Sequence, residues 1–371
     1  AGQDVNVGHG ISGDIAALPA SPPVWSADSR AVYLTANTRG TSNLHRLDVA
    51  EGTMTALTQG AWQLGPLAYV DARTIIAIAA DPARPADLAR FDLSAHPAAM
   101  HWLTALNPWL TEYTTSLPHE FTYTAPDGWH LQGWIMPPPG DAADDLPASW
   151  PVILQIHGGP HGWYGPCYNA TRQICAGAGY AVVFVNPRGS IGYGEVFARA
   201  CDHDWGEGDY GDIMAGLDAA LARGGLDADR LAVTGVSYGG YMTNWIIGHT
   251  DRFKAAVTVN SVANLISSFG TSDIDTSSGM VEQGGTPWDR RDWYIERSPI
   301  TYADRVTTPT RVIGAERDWR CPIEQSEQMY TAIRYLGRTA TDFLRVPGTS
   351  HSIATGTPGQ RVAYVRAVLE W

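Results

Sequence analysis

At 371 residues, the chain is long enough for two or more domains and a sizeable hydrophobic core. Apolar residues make up 44% of it and charged residues 17%, which is typical of a folded globular protein and excludes a largely disordered one. The net charge of −13 opposes binding to phosphate backbones or anionic lipid. We therefore expect neither nucleic acid nor a membrane as a partner.

Signals for targeting, disulfides and metals are sparse. No run of about 18 apolar residues indicates a transmembrane helix, and the first residues lack the basic and apolar regions of a signal peptide. The cysteines show no Cys-x-x-Cys spacing, which predicts buried, reduced thiols in a cytoplasmic protein without a metal or other cofactor. They are Cys167, Cys175, Cys201 and Cys321.

Residues 1–105 consist of short predicted strands separated by turns. The pattern at residues 44–49 recurs at residues 88–93, and Leu57-Thr58 recurs at Leu103-Thr104, in both cases after roughly 45 residues, the length of a β-propeller blade. The alternative is an irregular β-domain in which the sequence repeat is coincidental. The segment holds about two blades, whereas closed propellers have about four to eight. We therefore expect a partial propeller, completed by a missing propeller segment or by a homo-oligomer.

A linker at residues 106–118 separates this part from residues 119–371, where the pattern changes. A predicted hairpin around residues 126–128 comes first, followed by a polar loop at 137–150. Short apolar strands then alternate with helices, which predicts an α/β class with a mostly parallel, doubly wound sheet. The predicted strands are 152–156, 181–185, 231–234, 255–259, 311–314 and 343–346, and the predicted helices are 169–178, 212–223, 241–248 and 324–336.

A glycine-rich loop, His157-Gly158-Gly159-Pro160, follows the first of these strands. It is similar to the loop from which esterases donate a backbone N–H group to an oxyanion. Because proline has no N–H group, Gly159 is the expected donor. A zinc site on His157 and His161 is the alternative, but the sequence shows no third ligand.

The segment Gly235-Val236-Ser237-Tyr238-Gly239 lies between a predicted strand and a predicted helix. This is the context of a G-x-S-x-G nucleophile elbow, whose sharp turn holds the serine hydroxyl out at the carboxyl end of the sheet. We therefore predict Ser237 as the nucleophile. The N–H group of Tyr238, the next residue, is the second expected oxyanion donor.

A serine nucleophile needs a base, and an acid must orient that base. In this fold the acid and then the histidine follow the serine along the chain. Two histidines follow Ser237. His249 lies about three turns along the elbow helix, too far to reach the hydroxyl. His351 lies in a loop after a late strand, and we predict it as the base.

The predicted acid is Asp318, which follows the strand at 311–314 by a short turn. It therefore lies at the edge of the sheet where ligand sites of α/β folds collect. Glu316 is the alternative. Asp273 and Asp275 lie in a polar loop, where we expect them to be solvated.

Taken together, residues 119–371 resemble the catalytic domain of the prolyl oligopeptidase family, and most closely its acylaminoacyl-peptidase branch. The resemblance implies an α/β-hydrolase fold behind a propeller that restricts entry to short peptides. It also implies Ser237, Asp318 and His351 as the catalytic triad, with Gly159 and Tyr238 as the oxyanion hole. The matching stretches are His157-Gly158-Gly159-Pro160, Asn186-Pro187-Arg188-Gly189-Ser190, Gly192-Tyr193-Gly194, residues 235–242, residues 318–322 and Gly348-Thr349-Ser350-His351.

Two groups of substrate-binding residues are expected. Val262, Leu265 and Phe269 occupy positions similar to the S1 pocket of the family, with a purely structural core as the alternative. Arg320 is expected to pair with a substrate carbonyl or carboxylate, or else to form a structural ion pair.

The sequence thus predicts a serine exo- or oligopeptidase that hydrolyses short peptides through an acyl-enzyme. It leaves open whether an acylated amino end, a free carboxyl end or an internal bond is recognised, so a carboxypeptidase-type member of the same family is one alternative. A carboxylesterase, which shares the elbow and the triad, is the second. A catalytically disabled fragment that only binds other molecules is the third.

Overall fold

The computed structural model of the chain describes residues 14–15, 22–140 and 149–371. Within them the chain forms one sheet of nine strands and one of eight. The strands are β1 (Asp14–Ile15), β2 (Val24–Trp25), β3 (Ala31–Thr38), β4 (Thr41–Asp48), β5 (Met54–Ala56), β6 (Gln63–Asp71), β7 (Thr74–Ala80), β8 (Asp87–Asp92), β9 (Ala99–Trp102), β10 (His119–Thr124), β11 (His130–Met136), β12 (Trp150–Ile156), β13 (Ala181–Asn186), β14 (Leu226–Val236), β15 (Ala255–Val259), β16 (Thr310–Ala315) and β17 (Thr341–Val346). The α-helices are α1 (Ala170–Gly177), α2 (Glu195–Ala198), α3 (Gly208–Leu221), α4 (Tyr238–His249), α5 (Leu265–Thr271), α6 (Met280–Glu282), α7 (Arg291–Glu296), α8 (Ile323–Leu336) and α9 (Pro358–Leu369). Much of the predicted loop at 137–150, and the predicted propeller residues 1–13 and 16–21, lie outside the described residues.

The first sheet contains two antiparallel meanders, β2 to β5 and β6 to β9, joined by a short parallel pairing of β4 with β6. The two sequence repeats at residues 44–49 and 88–93 fall on β4 and β8, which are the third strands of their meanders. Leu44 on β4 and Phe91 on β8 are fully buried. The repeat therefore reflects two structural units that bury equivalent strands in one core.

The second sheet has the strand order β10-β11-β13-β12-β14-β15-β16-β17. The predicted hairpin forms β10 and β11, which pair antiparallel, and β11 pairs antiparallel with β13. All later pairings are parallel. Every residue of β13 is buried, as expected for a strand covered on both faces. The strands and helices predicted for this part are present, most of them slightly longer than predicted.

The sequence reasoning missed three further helices, α5 and α7, which contact each other, and α9, which packs on the second sheet. For α9 a signal was present, because Pro358 occupies the first turn and Thr357 forms a capping box with Gln360. The helix shows no clean apolar stripe, since most of its residues are exposed or half-buried.

The two sheets contact each other through backbone hydrogen bonds. The N–H group of Arg39 donates to Gly192 at 3.0 Å, and that of Tyr168 donates to Asp81 at 2.9 Å. Gly40, at φ +78°, lies so close to Trp134 that an added Cβ atom would be 2.8 Å from the indole ring. The first sheet is therefore packed directly against the loops of the second.

The four cysteines are buried and unpaired, in agreement with the prediction of reduced thiols. In the described ranges, no helix combines the length and the apolar composition that a membrane span requires.

Candidate active site

Ser237 stands in a strained turn between β14 and α4, with φ 63° and ψ −123°. The turn depends on the absence of side chains at two flanking positions. An added Cβ atom on Gly235 would lie 2.2 Å from the carbonyl oxygen of Gly239, and one on Gly239 would lie 2.3 Å from that of Ile156. The glycines thus let α4 approach the strand ends closely, and the turn points Ser237 into a cavity at the carboxyl edge of the sheet.

His351 and Asp318 form a close pair at the same edge. His351 Nδ1 lies 2.7 Å from Asp318 Oδ2, and the Asp318 side chain is fully buried. Asp318 Oδ1 accepts hydrogen bonds from the N–H groups of Arg320 and Cys321, both at 2.9 Å. Because a carboxylate oxygen only accepts, the Nδ1 atom carries the proton and the Nε2 atom of the neutral ring is free to accept one.

The competing residues lie elsewhere. Glu316 accepts a hydrogen bond from the N–H group of Gly348 and contacts Arg345 near the surface. The His249 ring stacks on Trp245, with 4.2 Å between the ring centroids. The structure therefore brings Asp318, not Glu316, to His351, and keeps His249 away from the serine.

The loop that carries His351 is held by Asn260, a residue that the sequence reasoning missed. Asn260 directly follows β15 in a left-handed conformation with φ 43°. Its Nδ2 atom donates to the carbonyl oxygen of His351 at 2.7 Å, and its Oδ1 atom accepts from the N–H group of Ala315 at 2.8 Å. A polar residue at the end of a buried strand is the signal that could have identified it.

Ser237 and His351 line one cavity of about 400 Å³. The Ser237 hydroxyl lies 3.9 Å from the Cys321 sulfur, and within the described part of the chain no hydrogen bond joins it to His351. Catalytic hydrogen bonds are often long before substrate binds. Contact between the Ser237 hydroxyl and the His351 ring therefore requires a change of side-chain conformation.

Both predicted oxyanion donors, Gly159 and Tyr238, line the same cavity. Gly159 has φ +129°, and an added Cβ atom would lie 2.4 Å from the nitrogen of His161, so a side chain is excluded there. Gly158 lies against the elbow, since its Cβ position is 3.4 Å from that of Ser237. The glycine loop thus packs directly on the nucleophile turn.

The segment at residues 186–190 contacts the glycine loop through the side chains of Ser190 and His157. His157 Nε2 lies 2.9 Å from the Ser190 hydroxyl, and its Nδ1 lies 2.8 Å from the carbonyl oxygen of Gly158. Burial lowers the pKa of His157 to about 4, so its ring is neutral near pH 7. Since both ring nitrogens are occupied, His157 and His161 do not form the zinc pair considered as an alternative.

Tyr238 is anchored by Asp209, which the sequence reasoning also missed. The buried Tyr238 hydroxyl donates to the Asp209 carboxylate, which also accepts from the N–H groups of Gly206 and Tyr210. Burial raises the pKa of Asp209 to about 7. The arrangement ties the side chain after the nucleophile to the start of α3.

The predicted substrate residues separate into two groups. Val262 and Arg320 line the cavity. Leu265 and Phe269 on α5 do not line it, although all three apolar residues belong to the same hydrophobic core. The side of a short helix that faces a cavity is decided by tertiary packing, which is why the sequence could not separate them.

The expectation that Asp273 and Asp275 are solvated holds for Asp273, whose side chain is exposed, and is wrong for Asp275. Asp273 pairs with Arg320 at 2.7 Å, and this interaction lowers the pKa of the Asp273 carboxyl. Asp275 is buried beside the cavity and accepts a hydrogen bond from Ser268 at 2.5 Å. The segment Asp275–Gly279 forms a π-helical turn that packs back on α5, which removes Asp275 from solvent.

The sequence profile of the prolyl oligopeptidase family matches residues 166–371, more than half of the chain. The chain belongs to this family. A Bacillus subtilis relative, described as the uncharacterized peptidase YuxL, is 38% identical over 99% of this chain and 56% of its own length.

Solved structures of prolyl oligopeptidase family relatives share the fold. Pyrococcus horikoshii acylaminoacyl peptidase, uncomplexed, is 29% identical with a TM-score of 0.86, over 97% of this chain and 55% of that one. An acylaminoacyl peptidase in complex with Z-Gly-Gly-Phe-chloromethyl ketone is 29% identical with a TM-score of 0.82, over 96% of this chain and 56% of that one. The chain therefore spans about half the length of the relatives it matches.

In this member of the prolyl oligopeptidase family, the cavity combines the parts that acyl transfer requires. The Ser237 hydroxyl stands on a strained turn, and the His351 imidazole, oriented by Asp318, faces the same cavity. Gly159 of the glycine loop and Tyr238 of the elbow also line this cavity. Such a set activates a serine and stabilises negative charge on a carbonyl oxygen.

Proposed function

We propose that the chain is a serine peptidase that hydrolyses short peptides through an acyl-enzyme on Ser237, in the manner of acylaminoacyl peptidases. The observation that carries this proposal is the His351–Asp318 pair at 2.7 Å, which faces the cavity into which Ser237 is turned. The order serine, acid, histidine along the chain agrees with the α/β-hydrolase arrangement.

In the proposed mechanism, Ser237 rotates away from Cys321 and its hydroxyl donates to Nε2 of His351. His351 takes the proton as the oxygen attacks the substrate carbonyl carbon, and Asp318 stabilises the imidazolium. The N–H groups of Gly159 and Tyr238 bind the oxyanion. His351 then gives the proton to the leaving amine, and a water molecule releases the acyl group by the same steps in reverse.

Peptide substrates are supported by the surroundings of Ser237. Val262, Ile274 and Cys321 give the cavity an apolar wall, which suits an apolar side chain at the cleavage site. Arg320 also lines the cavity and is oriented by Asp273. We propose that Arg320 binds a substrate carbonyl. Its guanidinium is exposed, and although it is ion-paired with Asp273 it has further N–H groups that can donate to a second acceptor.

We infer that the two antiparallel meanders of the first sheet are blades of a β-propeller. Their four-strand organisation and the position of the repeats on β4 and β8 support this inference. Their packing against the loops of the second sheet is consistent with a role in limiting access to short peptides. The cytoplasmic location and the homo-oligomer remain predictions.

The experiment is digestion of one peptide in four forms, with the amino end free or acetylated and the carboxyl end free or amidated, and with products identified by mass. Release of an acetylated first residue by the parent chain and not by Ser237→Ala supports the proposal. Cleavage confined to forms with a free carboxyl end indicates a carboxypeptidase instead. Hydrolysis of an ester analogue without cleavage of any of the four peptides indicates a carboxylesterase.

A further inference from the structure

A second cluster of reactive side chains lies behind the glycine loop, outside the proposed triad. His161, Cys201 and Asp202 each place one potential ligand atom within 4.8 Å of the other two. Glu282, at the end of α6, adds a carboxylate whose Oε1 atom is 3.7 Å from Nε2 of His161. Three donors from two segments of the chain therefore converge on one place, and a third segment brings the Glu282 carboxylate next to His161.

The hydrogen bonding of His161 leaves its second nitrogen facing this cluster. Nδ1 lies 2.9 Å from the carbonyl oxygen of Gly189. A carbonyl oxygen only accepts, so Nδ1 carries a proton, and Nε2 is the ring nitrogen that faces Glu282. Metal-binding histidines are commonly oriented in this way, by donation of the other N–H group to a backbone carbonyl.

The distance between His161 and Glu282 fits two ligands of one metal ion. At 3.7 Å it exceeds the roughly 2.7–3.2 Å of an N–H···O hydrogen bond. Two ligands of a tetrahedral zinc ion, with bonds of about 2.0–2.1 Å, are about 3.4 Å apart. The separation of Nε2 and Oε1 is therefore close to that of two ligands on one zinc ion.

The burial of the donor side chains also favours a metal site. Cys201 is fully buried, and the side chains of Asp202 and Glu282 are 16% and 19% exposed. The Glu282 carboxylate is partly exposed and pairs with the His161 ring. Arg199 contacts Asp202 at 3.2 Å, but its own side chain is 63% exposed.

We propose that His161, Cys201, Asp202 and Glu282 bind a divalent transition-metal ion, and that Zn²⁺ fits best. One imidazole, one thiolate and two carboxylates are zinc ligands, and four donors complete a tetrahedral shell. Binding exchanges the Cys201 thiol proton, which passes to solvent, for a metal–sulfur bond. The half-buried His161 and Glu282 leave a path for the ion to enter.

The position of the site couples it to the candidate active site. His161 is two residues from Gly159, and α6 directly follows the turn Asp275–Gly279, whose Asp275 borders the catalytic cavity. A bound ion therefore joins the glycine loop to the wall of the cavity. The sequence showed no third ligand for His161 because the other three donors come from distant segments.

The test is titration of the chelator-treated 371-residue chain with Co²⁺, followed by displacement with Zn²⁺. A single Co²⁺ per chain, with the thiolate-to-cobalt charge-transfer absorption and intense visible bands of a tetrahedral site, is expected. Zn²⁺ should remove both signals. Absence of the charge-transfer absorption in the parent chain would overturn the proposal and leave a protonated His161 as the partner of Glu282.

Variants identify the ligands. Cys201→Ala should abolish the charge-transfer absorption, and His161→Gln and Glu282→Gln should weaken Zn²⁺ binding at least about tenfold. Cys175→Ala removes another buried thiol, on α1, and should bind like the parent chain. If Cys201→Ala does not fold by circular dichroism, the Glu282→Gln variant, which changes one oxygen on a half-buried side chain, decides. Zn²⁺ binding that is unchanged in both His161→Gln and Glu282→Gln would show that the ion binds elsewhere.

Discussion

The side chain of Asn260 donates a hydrogen bond to the backbone carbonyl of His351, with 2.7 Å between Nδ2 and the oxygen. Through its Oδ1 atom the same side chain holds the N–H group of Ala315 at the end of β16. The loop of the proposed base, His351, is thereby held at the ends of β15 and β16. The loop that carries Asp318 follows β16. One buried amide thus links the loop of His351 to the strand that leads to Asp318.

Asn260→Asp should impair catalysis more than folding. The carboxylate can still accept from Ala315, but it cannot donate to His351 and repels the carbonyl oxygen. Because small misplacements of catalytic groups are costly, we expect kcat for peptide hydrolysis to fall by about 10- to 100-fold with KM little changed. Asn43→Asp, which removes a comparable donor to the carbonyl of Gly60 in the first sheet, is the matched control. Equal kcat values for the two variants would contradict the role of Asn260.

Asp318→Asn should reduce kcat by about 10³- to 10⁴-fold, because an amide that donates to Nδ1 selects the wrong tautomer of His351. Glu316→Gln changes the neighbouring acid in the same way and should stay within about twofold of the parent, since surface substitutions have small effects. Steady-state kinetics on one acetylated peptide compares them. A larger loss in Glu316→Gln than in Asp318→Asn would reverse the assignment of the acid.

Asp209 should make the free energy of unfolding depend on pH. Its pKa in the folded chain is raised to about 7 by burial, above the value of 3.8 expected without burial. The unfolded chain therefore loses this proton first, and stability falls as pH rises from about 4 to about 7 and then levels off. The loss is up to about 4 kcal/mol, at about 1.4 kcal/mol per pKa unit.

Asp209→Asn should remove this part of the pH dependence, since the amide oxygen can still accept from Gly206 and Tyr210 and the amide nitrogen can donate to the Tyr238 oxygen. Urea unfolding of both proteins at several values between pH 5 and pH 8 measures it. We expect the stability of the parent relative to the variant to decrease as pH rises. A constant difference would show that Asp209 does not titrate in this range.

Gly239→Ala should disrupt the elbow. The added methyl group would lie 2.3 Å from the carbonyl oxygen of Ile156, a backbone atom that cannot move without shifting β12. We expect a loss of at least about 3 kcal/mol in the free energy of unfolding, or failure to fold. Gly177→Ala, at the end of α1, meets no atom within 4 Å and should change stability by less than about 1 kcal/mol. Similar values for the two variants would mean that the elbow tolerates a side chain.

The positions of Ser237, Asp318 and His351 could be predicted because each follows a recognisable buried strand, and parallel strands bring their carboxyl ends to one edge. The strand order could not, because it depends on pairing between segments far apart in the chain. For the same reason the partner of Arg320 in its ion pair, Asp273, and the hydrogen bond of Asp209 with Tyr238 were not identified. Local patterns report the period of an element, whereas these contacts depend on tertiary packing.

The account depends most directly on Ser237 being an activated nucleophile. Intact-mass analysis after treatment with a fluorophosphonate tests this without assuming any substrate. We predict one covalent adduct per chain, located on Ser237 by peptide mapping, with no adduct in Ser237→Ala and much slower labelling in His351→Ala. A folded parent chain that remains unlabelled, or a label on another residue, would contradict the proposed active site.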